Sequence, residues 1–175
     1  MFGAVSYRVG QFVRALSARH VVSQERVQKA TETLSPEAQA LFAQQGLPDQ
    51  RHALAVYETL CERGHTSEDL LAAALLHDVG KAVAHLRPWE RGLLVLAERF
   101  APRSLDSLTG AAPGPIWEPL AQYVRHPEIG ASWARNAGCS HVTVELIRRH
   151  EDSRVTRQAE EDPLLSALQA ADNAN

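Results

Sequence analysis

Six positions in this chain carry imidazole or carboxylate groups in an order that could move protons or hold an ion: His52, the adjacent pair His77-Asp78, His126, His150 and Asp172. His77-Asp78 is the sharpest of them. It follows Leu70–Leu76, LLAAALL, which is apolar on every side and so belongs in the middle of a fold. A buried helix that ends in His-Asp is costly unless those groups are paired or hold a metal. Imidazole and carboxylate donors without thiolate suit Fe, Mn, Co, Ni or Zn, and a carboxylate can bridge a pair of such ions. Lys81 adds a cation three residues after Asp78. Asp172 follows Leu165 by seven residues and Leu168 by four, so it shares their helical face and is expected to point inward. His20, His65, His85 and His141 stand in no such pattern and are read as ordinary histidines.

The elements that must position these groups are all helical. Gln24–Leu34 reads as a polar helix, and Ser35-Pro36-Glu37 as a helix start. Gly46–Asp49 breaks the chain before a strong helix from about Gln50 to Arg63, with Ala53, Leu54, Tyr57, Leu60 and Cys61 inward and Gly64 at its end. Thr66-Ser67-Glu68-Asp69 resembles a capping box for the central helix, which Gly80 is expected to stop. Pro88–Phe100 reads as a helix, Pro102–Leu108 as a turn or two, and Thr109–Pro115 as a loop. Glu118–Arg125 forms a short helix, and His126-Pro127 opens another that stops at Gly138. Ser140 caps a helix through His150; Glu151–Glu161 is a loop, and Asp162-Pro163 starts the last helix. Strand signals and internal repeats are missing. The expected fold is an all-α, single-domain bundle over 50–175, with residues 1–49 as a helical extension packed on it.

Composition fits this. A chain of 175 residues with 45% hydrophobic and only 6% aromatic side chains must build its core from aliphatic residues and alanine. The net charge of -3 argues against a nucleic-acid partner, which calls for a basic surface. Cys61 and Cys139 are isolated and are read as buried thiols in a reducing compartment. No apolar run is long enough to cross a bilayer, and no signal peptide is seen, so a cytoplasmic protein without a membrane partner is expected. Val5, Val9, Phe12, Val13 and Leu16 recur at helical spacing beside Arg8, Arg14 and Arg19; this amphipathic helix is read as packing on its own domain.

His52, then His77-Asp78 within LLHDVGK, then a distant Asp172, resembles the HD-domain metal-dependent phosphohydrolase superfamily, over roughly Arg51 to Asp172. His126 in HPEIG and His150 in RRHED resemble the histidines of its two-metal branches. The resemblance implies an all-helical domain with a metal centre among its helices. It implies His52, His77, Asp78 and Asp172 as metal ligands, with Asp78 able to bridge two ions. His126 and His150 would hold a second ion or serve phosphate binding, and Lys81 would face a substrate phosphate. The chain departs from the cyclic-di-GMP phosphodiesterase branch: it has Arg149-His150 where that branch pairs histidines, and Glu151-Asp152-Ser153-Arg154 follows with no Gly-Tyr-Pro. LIRRHED followed by LLSALQAAD looks more like the bacterial HD-type diadenosine tetraphosphate hydrolases.

The function expected from this resemblance is a phosphohydrolase that uses one or two divalent ions to activate water against a nucleotide or related phosphate ester. Asp78 and Lys81 would be its catalytic residues. Two other readings use the same ligands: a di-iron oxygenase, and a non-catalytic nucleotide-sensing domain.

Overall fold

Caps and prolines decide where the helices begin. The computed structural model describes residues 23–83, 118–152 and 162–175, and among these every regular element is helical. The amphipathic stretch at Val5–Leu16, the helix expected at Pro88–Phe100, the turns at Pro102–Leu108, the loop at Thr109–Pro115 and most of Glu151–Glu161 lie outside them, as do His20 and His85. The chain divides into two compact units, Met1–Glu32 and Thr33–Asn175.

In the first unit, helix α1 spans Gln24–Thr31, and the Ser23 hydroxyl accepts from the Arg26 amide at 3.1 Å. It stops three residues before the expected Leu34. Ser35 must be extended ahead of Pro36, and it sits at φ -59, ψ 156.

The second unit holds α2 (Pro36–Gln44), α3 (Leu47–Glu62), α4 (Glu68–Leu76), a 3-10 segment (Val79–Val83), α5 (Glu118–Val124), α6 (His126–Asn136), α7 (His141–Arg149) and α8 (Pro163–Asp172). The sequence places a boundary between 49 and 50. The chain itself divides between 32 and 33, and α2, with Phe42 buried, packs on α4, α6 and the 3-10 segment. Helix α3 starts at Leu47 rather than Gln50, because Pro48 falls in its first turn, where a missing amide hydrogen costs nothing. Ser67, Ser140 and Asp162 cap α4, α7 and α8 through side-chain oxygens that accept from backbone amides.

Helix α4 is the hub. It packs against α2, α3, α7 and α8. Leu70 and Ala73–Leu76 are fully buried, while Leu71 and Ala72 are half-buried. Around it the core is filled by Leu54, Val56 and Leu60 of α3, Ile147 of α7, and Leu165 and Leu168 of α8. Two expectations for this region need correction. Cys61 is exposed, because the end of α3 outruns the core and 61–64 all face solvent; Cys139 is half-buried. And Gly80 does not stop α4, which ends at Leu76 with His77 as its cap. The Gln45 side-chain amide donates to the Leu75 carbonyl at 2.9 Å, satisfying an acceptor at that end.

Gly80 has a different physical task. It lies in the 3-10 segment, where an added Cβ would come within 2.1 Å of the His126 carbonyl oxygen and 2.8 Å of the Gly130 amide nitrogen. The absence of a side chain lets the start of α6 lie directly on the chain that follows His77-Asp78. No helix among the described residues is long and apolar enough to cross a membrane.

Candidate metal centre

Three histidines at helix ends meet at Asp78, and a fourth, His52, lies against His77 and Asp172. His77 caps α4, His126 opens α6, His150 caps α7, and His52 lies near the start of α3. Neighbouring rings have centroids 5.3 Å apart for His52–His77, 5.0 Å for His77–His150 and 5.2 Å for His126–His150. His77, His126, His150 and Asp78 are buried; His52 and Asp172 are a quarter exposed. Asp172 is the last residue of α8, and that helix lies along both α3 and α4.

The three buried imidazoles are oriented in one way. The Nδ1 of His77 lies 3.0 Å from the Ala74 carbonyl, that of His126 2.7 Å from Tyr123, and that of His150 2.7 Å from Ile147. In each case the carbonyl is three residues earlier. A carbonyl oxygen can only accept, so each Nδ1 carries the hydrogen and donates. Each Nε2 is then left with a free lone pair, the form that binds metals.

Those lone pairs converge on carboxylates. His77 Nε2 is 3.6 Å from Asp78 Oδ2 and 3.6 Å from Asp172 Oδ1. His126 Nε2 and His150 Nε2 are 3.3 and 3.6 Å from Asp78 Oδ1, and 3.3 Å from each other. Neither His77 Nε2 nor Asp78 Oδ1 has a hydrogen-bond partner, although both are buried. Acceptors packed against acceptors are unfavourable without a cation between them. His52 Nε2 and Asp172 Oδ1 are closer, at 2.8 Å, and share a proton.

The electrostatics of the centre follow. Burial works against ionising Asp78, but the neighbouring His77, His126 and His150 rings and Lys81 outweigh it and hold the carboxyl well below the usual range. Asp172 is also lowered: burial opposes ionisation, and the hydrogen bond from His52 with the nearby His77 ring overcomes it. The hydrogen bond to Asp172 raises His52 against the effect of burial. Lys81 Nζ donates to Asp78 Oδ2 at 2.7 Å and sits 5.6 Å from the Tyr123 ring centre. Burial alone would lower the lysine; Asp78 reverses this and raises it.

Among the described residues, three overlapping sets of side chains could hold a metal ion: His52, His77 and Asp172; His77, Asp78 and His150; and His126, His150 and Glu151. All six positions singled out from the sequence as ligands come together here. Lys81 lies at the edge with its ammonium on Asp78. Glu151 was missed, because it reads as the first residue of a polar loop; its position directly after His150 was the available signal. His141, 83% exposed in its side chain, and His65 stand in none of these sets. No family model, no curated protein and no solved structure matches the chain.

Proposed function

We propose that this chain is a metal-dependent phosphohydrolase of the HD-domain kind, acting on a nucleotide or a related phosphate ester. One observation carries the reading: lone pairs of three imidazoles, fixed by main-chain carbonyls, close around a buried carboxylate whose Oδ1 has no hydrogen-bond partner. That donor set fits one or two divalent transition ions. His52, His77, Asp78 and Asp172 would hold the first, and Asp78 with His126 and His150 a second. When bound, such an ion supplies a water molecule that ionises near neutral pH and a positive counterpart for phosphoryl oxygens.

The chain's own residues do the rest. Asp78 faces His77 through Oδ2, and His126 and His150 through Oδ1, so it can serve both halves of the centre. Asp172 holds His52 in place. Lys81 places a positive charge at the rim, where a phosphate could be bound and its developing charge offset. The apolar α4 behind the centre keeps water from that side.

The test is turnover of a nucleotide panel by protein loaded with Mn or Fe. Phosphate release is expected from wild type and its loss from Asp78→Ala and His77→Gln. An Asp78→Ala protein that keeps full metal content and full activity would falsify the assignment.

A further inference from the structure

The half of the centre away from His52 has only a share of Asp78 to balance a divalent ion. His126 and His150 are neutral ligands when their Nδ1 atoms carry the hydrogen, and their Nε2 atoms face each other at 3.3 Å. Two lone pairs at that distance repel unless a cation lies between them. Glu151 directly follows His150, the cap of α7, and its Oε1 lies 3.5 Å from His126 Nε2. One oxygen of Glu151 and the two ring nitrogens all lie within 4.8 Å of one another. Metal–ligand bonds of about 2.0–2.2 Å place donors on one ion no more than about 4.4 Å apart, so a small closing movement suffices.

Glu151 is not a loose tail. The Gln169 side-chain amide, buried on α8, donates to the His150 carbonyl at 3.1 Å and to the Asp152 carbonyl at 2.9 Å, on either side of Glu151. The same helix carries Asp172 one turn later. One amide therefore fixes the main chain of Glu151 relative to a ligand of the first ion. The Glu151 side chain is half exposed, on the solvent side of two buried imidazoles. Charge points the same way. Two divalent ions with Lys81 far outweigh Asp78 and Asp172, and a third carboxylate reduces the excess.

We propose that Glu151 is the solvent-side ligand of a second divalent ion, held with His126, His150 and Asp78 Oδ1. This rests on the metal-centre reading above. The experiment is a titration of metal-stripped, full-length protein with Mn(II), followed by calorimetry and by the spin coupling that appears when two manganese ions share a bridging carboxylate.

Wild type is expected to take two ions and show the coupling. Glu151→Gln should leave the first ion unchanged, weaken the second by about tenfold or more, and lose the coupling. His52→Gln should weaken the other ion instead. Glu151 is half exposed, so its variant should melt with the wild type when both are metal-free. Two ions with unchanged affinity in Glu151→Gln overturn the proposal. A wild type that takes a single ion, indifferent to Glu151→Gln, overturns it and leaves the metal-dependent hydrolase standing. A wild type that takes no ion overturns both.

Discussion

Asp78 and Lys81 form an ion pair that is almost out of water, with side chains 5% and 19% exposed. Removing one partner of such a pair leaves the other charge buried and costs roughly 3–5 kcal/mol. In metal-stripped protein, Asp78→Ala should therefore lower stability to denaturant by about that amount, and adding Lys81→Met should recover much of it. A double variant as unstable as the single one would show that the pair does not carry the loss. His52 gives a second prediction, on pH. Its folded pKa lies above the ordinary 6.5 because Asp172 accepts its proton. The stability it contributes is thus full below about 6.5 and lost as pH rises through the folded value. In metal-stripped protein, the difference between wild type and His52→Gln should shrink on that rise. In loaded protein the sign reverses, since ligand imidazoles must be neutral to bind and the ion's contribution grows with pH. A difference of the same sign in both states would remove His52 from the centre.

At the scale of elements, Gly80 is the sensitive point. Gly80→Ala would push a methyl group into the His126 carbonyl, so the 3-10 segment and α6 must part. The expected cost is about 1–3 kcal/mol, with weaker binding of an ion that needs His126. Ser140→Ala is the control: losing the α7 cap should cost about 1 kcal/mol and leave ion binding alone. Equal effects on metal affinity would mean that general loosening is responsible. The elements also show what was readable in advance. Caps at Ser35, Ser67, Ser140 and Asp162 are local signals, because the capping atom and the amide it serves lie within three residues, and each marks a helix start. Pro48 was misread as a breaker because proline is tolerated in a first turn as well as after a last one. Gly80 was misread for a related reason. Its glycine answers to a backbone forty-six residues away, and nothing in its neighbours reports that distance.

For the molecule as a whole, the candidate centre draws on α3, α4, α6, α7 and α8. Two ions bound there would together tie these five helices to one another. Any ligand that binds only the folded chain stabilises it by mass action, about 2.7 kcal/mol at one hundred times its dissociation constant. The melting temperature should rise with Mn or Zn and fall back with a chelator, and His126→Gln should reduce the rise. A melting curve indifferent to both would argue that the imidazoles are merely packed. The all-α bundle was legible because helical periodicity is a local property. So was the inward aim of Asp172, from its spacing to Leu165 and Leu168; its grouping with His77-Asp78 was implied only by the family resemblance. Gln169 and Glu151 were not legible: a glutamine whose amide reaches carbonyls at and just beyond the end of another helix looks like any surface glutamine until the two segments are side by side.

The three buried imidazoles take their orientation from main-chain carbonyls three residues earlier, not from neighbouring side chains. Substitutions beside the centre therefore leave the aim of the nitrogens intact as long as each helix keeps its last or first turn. Adaptation toward new chemistry has little purchase on those rings. It is steered to the rim, at Lys81, Tyr123 and Glu151, where side chains rather than peptide groups decide what is met.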